Sequence, residues 1–446
     1  MTGGVPQAAH SLARDASRGA LWAMFAFAAS RALGFATSLV LARLLSPAEF
    51  GLVSFAMIAI GAFTLLQDLG TPAAIVYGRR DVAEIGGTAL TINLAAALVL
   101  LAGVALGSPL LASFGGQAAI GPVATALALG LVLSAFGSVQ NALLVKELAL
   151  RRKFLPDVAP LVLSGGVSVI LALQGLGVWA LVGGYLVRSL ATSLMLWWLS
   201  DVRPWPAFDR SIARELLGYG QHVSLTGLIG FATMNVDYLI VGHALGTAEL
   251  GVYTLAFTIA TTPAKAISEL ASKVIFPVYA RLGGDSDGLA AFFSRVLALV
   301  GSLSLLTAAA ISLGAPVYVP LVLGPKWAAV VAPLQVLSIF GALQSIGFNF
   351  PALYKAIGRP STLWHVNLLK LVVLVPAMLL AVPFGITAIA IVHVAAEAAV
   401  LPIYALVLAR HFATPPGRFL RGLAPSALAL APYAALRDAL RSTSRA

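Results

Sequence analysis

The chain has 446 residues, of which 60% are hydrophobic and 10% charged, with no cysteine and a net charge of +11. Soluble globular chains are about one-quarter charged, so this composition, with a mean hydropathy of +0.95, excludes a soluble enzyme domain and predicts an all-α, polytopic membrane protein. The basic residues are scattered through short loops, which argues against a nucleic-acid partner, and the lack of cysteine excludes a disulfide framework or a thiolate metal site.

The N-terminus is polar up to Arg18 and then turns apolar. Apolar runs cut at charges and Gly/Pro clusters predict about twelve spans, each near the roughly 20 residues that cross a bilayer. They fall at 19–41, 50–77, 85–106, 118–144, 158–174, 177–199, 216–242, 250–279, 289–313, 328–354, 363–381 and 385–409. The first run has a counterpart in the second half, so it is expected to be retained rather than cleaved as a signal peptide.

Loop charge orients these spans, because Lys and Arg gather on the cytoplasmic side. Alternate loops carry Arg79 and Arg80; Lys146, Arg151, Arg152 and Lys153; Arg203, Arg210 and Arg214; Arg281; Lys355 and Arg359; then Arg410, Arg418 and Arg421. The loops between them hold Arg43 and Lys326. Both termini are therefore expected in the cytoplasm. The apolar segment 423–436 reads as interfacial, since a thirteenth span would export Arg437, Arg441 and Arg445.

The stretch from Leu39 to Tyr77 occurs twice. Leu39, Leu45, Ala48, Glu49, Gly51 and Ala56 match Leu239, Leu245, Ala248, Glu249, Gly251 and Ala256. A repeat of that length means two homologous multi-helix halves, the signature of a repeat-built transporter. The expected organisation is a six-helix lobe over 1–199, a cytoplasmic linker over 200–215, a second six-helix lobe over 216–411 and a tail over 412–446. Within the linker, Ile212, Ala213 and Arg214 look like the start of a short surface helix.

Charges inside spans cost about 2.5–3.5 kcal/mol each on insertion scales, which makes every one a functional candidate. Arg31 lies in span one and Asp237 in its repeat partner, span seven. Lys265, Glu269 and Lys273 share one face of span eight after Pro263, and Asn93 and Asn235 add neutral polar groups. One reading is a hydrated cavity in which Arg31, Lys265 and Lys273 bind an anionic group such as a pyrophosphate, with Asn93 and Asn235 meeting polar substrate groups. Asp237 and Glu269 would then pair charge or couple to an ion gradient. The other is interhelical salt bridging or snorkelling. For Arg188, Lys370, His393 and Glu397 a lipid-side or packing role is equally open. There is no P-loop and no zinc helix, and the Asp285-Ser-Asp287 turn has nothing around it to build a transferase site. No metal, cofactor or catalytic residue is expected.

Several segments resemble a known family. They are RLLSPAEFGL at Arg43–Leu52, DLGTPAAIV at Asp68–Val76, GLGVWALV at Gly175–Val182, DYLIVGHALG at Asp237–Gly246, VIFPVYARL at Val274–Leu282 and AIGRP at Ala356–Pro360. Together they are similar to the polysaccharide transporters, the Wzx-type lipid-linked oligosaccharide flippases of the multidrug/oligosaccharidyl-lipid/polysaccharide exporter superfamily, colanic-acid exporters in particular. Arg43, Glu49, Gly51, Asp68, Gly70, Gly246, Gly251 and Pro277 carry the motif, while Ser46 stands where the family usually has Gly. The resemblance implies two lobes forming a V around a central cavity in a bacterial inner membrane. It also implies transport of undecaprenyl-diphosphate-linked repeat units by alternating access, with polysaccharide polymerase and chain-length proteins as partners. The alternative within the superfamily is a cation-coupled drug antiporter.

Overall fold

The computed structural model describes residues 25, 28–78, 80–147, 149–281, 286–356 and 361–411, and among them every regular element is helical. In chain order these are α1 (28–44), α2 (Pro47–Asp68), α3 (Thr71–Tyr77), α4 (Val82–Phe114), α5 (Ile120–Lys146), α6 (Leu150–Leu173) and α7 (Val178–Leu199). Then come α8 (Arg210–Ala244), α9 (Thr247–Arg281), α10 (Ser286–Tyr318), α11 (Val331–Gly347), α12 (Asn349–Ala356), α13 (Ser361–Ala381) and α14 (Ile386–His411). Nine helical stretches among the described residues are long and apolar enough to cross a membrane. The segment 423–436 and residues Asp285 and Arg359 lie outside the described residues.

The internal repeat is visible in the backbone. α1 ends at residue 44 and α2 begins at Pro47, while α8 ends at Ala244 and α9 begins at Thr247. The two turns are closed by different chemistry. In the first, the Ser46 hydroxyl accepts from the Glu49 N–H at 3.3 Å and the Glu49 carboxylate accepts from the Ser46 N–H at 2.7 Å, a reciprocal cap of α2. In the second, Gly246 takes a left-handed φ of 89° that a serine would resist.

Span two is not one helix. The run 50–77 breaks between α2 and α3, where Leu69 (φ 43°) and Gly70 (φ 68°) are both left-handed. Thr71 fixes the break, its hydroxyl lying 2.9 Å from the Asp68 carbonyl and 2.8 Å from the Asn93 side-chain oxygen of α4. Span ten is likewise divided, into a 3-10 turn at Pro325–Val330 followed by α11 and α12.

By contact the chain forms two compact units, Met1–Ala248 and Glu249–Ala446. In the first, α4 packs on α5, α5 on α7, α6 on α7, and α2 on both α5 and α8. α8 starts far earlier than span seven, because Asp209 caps it by accepting from the Ser211 and Ile212 N–H groups at 2.7 and 3.1 Å. Hydrogen bonds from the Ser211 hydroxyl and these N–H groups hold the Asp209 carboxyl below the usual carboxylate range. Ile212 and Ala213 are thus the first turn of the 35-residue helix α8 rather than a separate short helix, and they are buried with Ile75, Ile85 and Leu90.

By contact, α8 groups with the helices that precede it. Glycines permit the close approach. A Cβ on Gly61 would stand 2.6 Å from the Phe231 ring, and one on Gly220 would stand 1.8 Å from the Leu69 carbonyl oxygen. The second unit buries Phe293, Phe350, Tyr354 and Tyr404 in one cluster and joins α9, α10 and α11 through Ser268, Ser304 and Ser345, whose hydroxyls lie 2.8 and 2.9 Å apart.

Gly220→Ala is expected to destabilise the protein by about 1–3 kcal/mol through overpacking, read as a lower Tm in detergent. Gly230→Ala, whose Cβ would meet nothing within 4 Å, is the tolerated control. Equal Tm values for the two would mean that the α2–α8 contact is not tightly packed.

Candidate functional site

The structure places the expected site residues in different environments. In the first unit, Arg31 is exposed on α1, and Asp237 of α8 is fully buried at 0% exposure. Asn235, half-buried, turns its amide back to the Phe231 carbonyl at 2.8 Å. Asn93 does not line a cavity: it is fully buried, accepts from Thr71 at 2.8 Å and donates to the Ser138 hydroxyl at 2.8 Å. These two bonds join α3, α4 and α5.

In the second unit, Lys265 is half-buried with its ammonium 5.7 Å from the Phe257 ring centroid, a cation–π arrangement. The side chains of Glu269, Lys273 and Pro277 lie outside the described residues. Farther along, Lys370 of α13 and Glu397 of α14 form an ion pair whose side chains are only 14% and 10% exposed. One turn before Glu397, His393 sits among aromatic rings, 4.2 Å from Phe340 and 5.9 Å from Phe257 between centroids. This pair neutralises itself and packs α13 against α14, as the packing role anticipated.

Motif residues serve the turns. Glu49 completes the α2 cap, Gly51 and Gly251 are buried, and Arg43 is exposed beside the first turn. Asp68 ends α2 ahead of the left-handed pair, and Gly70 and Gly246 supply positive φ.

A cluster that sequence reasoning missed lies between α1, α6 and α7. Lys153 Nζ donates to Asp157 Oδ1 at 2.7 Å, one turn apart on α6. Asp157 also interacts electrostatically with the exposed guanidinium of Arg188 on α7, as does Tyr185. α1 runs alongside: Phe25 stacks on Phe154 at 5.7 Å, the Ser30 hydroxyl donates to the Asp157 carbonyl at 3.4 Å, and a Cβ on Gly165 would meet Thr37 at 2.8 Å. Near the start of α6, Arg152 pairs with Asp201 at 3.0 Å. The only available signal was the Lys153/Asp157 spacing of four. Cutting span five at 158 had assigned both residues to the loop, whereas α6 begins at Leu150.

An all-helical, multi-pass architecture with a two-fold sequence repeat and charges deep in its spans defines a membrane transporter. The fold is that of the multidrug/oligosaccharidyl-lipid/polysaccharide exporter superfamily. An inward-facing multidrug resistance MATE transporter superimposes with a TM-score of 0.69 at 20% identity, covering 86% of this chain and 94% of that one. The lipid II flippase MurJ in an inward closed conformation gives 0.69 at 14% identity, covering 92% and 91%. The chain belongs to the polysaccharide biosynthesis protein family, whose model matches residues 40–332. The lipopolysaccharide biosynthesis protein WzxC of Escherichia coli K12 is 26% identical over 377 residues, 83% of this chain and 76% of that relative.

Two stability predictions follow from the buried polar groups. Asn93→Ala removes two buried side-chain hydrogen bonds, leaving Thr71 and Ser138 only their backbone acceptors at Asp68 and Ala135, and is expected to cost about 1–3 kcal/mol, with export falling only in proportion to folded protein on a blot. Lys370→Met leaves Glu397 buried without its partner and is expected to cost about 3–5 kcal/mol, most of which the double variant Lys370→Met/Glu397→Leu regains. Thermal unfolding of the single and double variants checks this, and additive losses would contradict it.

Proposed function

We propose that this chain is a flippase that moves undecaprenyl-diphosphate-linked oligosaccharide repeat units across a bacterial inner membrane for exopolysaccharide, capsule or O-antigen synthesis. The observation that carries the reading is positive charge held deep in the spans of a chain from the polysaccharide biosynthesis family. A glycan hydroxyl or phosphate entering hydrocarbon loses water partners at several kcal/mol apiece, and polar groups within the spans replace them. The polyprenyl tail stays in lipid while the head crosses.

Arg31 and Lys265, with Lys273, would hold the diphosphate through charge-assisted hydrogen bonds, and Asn235 would meet sugar hydroxyls. Asp237 and Glu269 would balance that charge or couple the cycle to an ion gradient. Alternating access would move residues 1–199 and 216–411 as two bodies. Such a motion requires α8 to release the contacts at Gly61 and Gly220. The chain would perform no chemistry on its substrate and would hand it to a polymerase and a chain-length protein in the periplasm, with both termini in the cytoplasm. A drug antiporter of the same superfamily would need an aromatic, acidic cavity to hold organic cations.

Arg31→Ala and Lys265→Ala are each expected to reduce exopolysaccharide export more than roughly tenfold, the loss of one charge-assisted contact, at normal protein levels. Full export by both variants would rule out the cationic clamp. Flipping in proteoliposomes with and without an imposed proton or sodium gradient separates coupled transport from transport drawn by consumption of the product.

A further inference from the structure

From the segment joining α7 to α8 we infer a binding site for anionic phospholipid. Residues 200–209 form a strap at the membrane surface, whose Trp205 and Phe208 enter the lipid while Arg203, Arg210 and Arg214 hold headgroup phosphates. The inference concerns the surrounding lipid and not the transported substrate, so it stands or falls apart from the flippase reading.

The strap is non-helical, yet three hydrogen bonds fasten it to α4. The Ala207 N–H donates to the Gly87 carbonyl at 3.4 Å, the Thr91 hydroxyl donates to the Ala207 carbonyl at 2.8 Å, and the Asp209 N–H donates to the Thr88 hydroxyl at 3.1 Å. α4 presents glycine where the strap crosses it: a Cβ on Gly87 would stand 2.8 Å from the Trp205 carbonyl oxygen, and one on Gly86 3.2 Å from Pro204 Cβ. Pro204 is buried, whereas Trp205 is 80% and Phe208 66% exposed. A fixed backbone thus holds two large aromatic side chains outward, and exposed apolar surface of that kind marks a site of interaction.

Their position says what covers them. α7 carries exposed Trp179 and Trp198 near its two ends. At 1.5 Å per residue these are about 29 Å apart, one hydrocarbon thickness, so they mark its two boundaries as interfacial tryptophans do. The strap begins directly after α7, at the Trp198 boundary. Thr91, its innermost tie on α4, still leaves about 35 Å of helix to Phe114, enough to cross that core. Trp205 and Phe208 therefore lie where acyl chains meet headgroups, and a water-soluble partner would have to displace lipid to reach them.

Charge selects the kind of lipid. The carboxylates here are already engaged: Asp201 pairs with Arg152 at 3.0 Å, Asp209 caps α8, and Glu215 pairs with Arg80 at 3.1 Å. Arg203, Arg210 and Arg214 are exposed and, among the described residues, form no hydrogen bond or ion pair. Arg210 and Arg214, four apart on α8, share one face. Guanidinium groups at a membrane boundary pair with phosphodiester oxygens, and cations without a counter-charge favour a headgroup of net negative charge.

The test exploits the absence of cysteine. The full chain with Ala207→Cys carries one fluorophore in nanodiscs, and its quenching is measured with phosphatidylglycerol or phosphatidylcholine brominated on the acyl chain. Both lipids are expected to quench, with phosphatidylglycerol preferred roughly fivefold or more, the gain from one arginine near an anionic surface. Arg203→Gln/Arg210→Gln/Arg214→Gln should bring the preference close to one while leaving quenching by phosphatidylcholine intact, and the corresponding triple Lys variant should keep most of it. Trp205→Ala/Phe208→Ala should lower quenching by both lipids. Absence of quenching by either lipid would put the strap in water, the surface of a protein partner, and overturn the assignment. So would equal quenching by the two lipids in wild type, or a preference that survives the triple Gln variant. An equal loss in Arg410→Gln/Arg418→Gln/Arg421→Gln, the same charge removed elsewhere, would show a general field and no site. None of these outcomes bears on the diphosphate clamp, which the export of Arg31→Ala and Lys265→Ala decides.

Discussion

Charge held in hydrocarbon must be compensated, and the way each intramembrane charge is compensated separates the structural polar groups of this protein from the functional ones. Lys370 and Glu397 neutralise one another across α13 and α14, with His393 enclosed by Phe340 and Phe257 beside them. Asn93 is satisfied by hydroxyls on two neighbouring elements. These groups have local partners, so their burial needs no ligand to explain it. Beside α7, Lys153 of α6 donates to Asp157, which also attracts Arg188 electrostatically.

Features set by local chemistry were legible in the sequence. Hydropathy and loop charge marked where helices run, and the repeat at an offset of 200 placed the paired turns, which the backbone reproduces at residues 44–47 and 244–247. Even the departure at Ser46 makes sense locally, since a serine there caps α2 through Glu49 while Gly246 depends on a left-handed φ. Features set by contacts between distant residues were not legible. The break at Leu69 and Gly70 is held by Thr71 meeting Asn93 on another helix, a contact that the polar dip at Gln67, Asp68, Gly70 and Pro72 does not by itself reveal.

The same limit explains the site. Cutting spans at charges treats a charged first turn as loop, so Lys153 and Asp157 dropped out of span five although α6 carries both. Arg188 was visible as an intramembrane charge, but only the packing of α7 on α6, with Gly184 seated against Ser168, shows which carboxylate it faces. The sequence position of Asn93 likewise says nothing of Ser138, 45 residues away.

α8 ties these observations to motion. Its sequence repeats the first span, yet by contact it belongs to the Met1–Ala248 unit, held along α2 and α3 at positions where glycine brings backbones together. At Gly220 the contact is backbone to backbone, and at Gly61 it is a glycine receiving the Phe231 ring. No hydrogen bond is recorded across Gly61–Phe231 or Gly70–Gly220 among the described residues. Parting it therefore forfeits mainly dispersion, which is small per atom pair, and strands no polar group in the membrane. The long α8 is capped by Asp209 and anchored through Ile212 and Leu216 at its N-terminal end. A transporter that must open and reclose needs contacts of this kind, tight enough to exclude water when shut and free of polar groups that opening would leave unsatisfied.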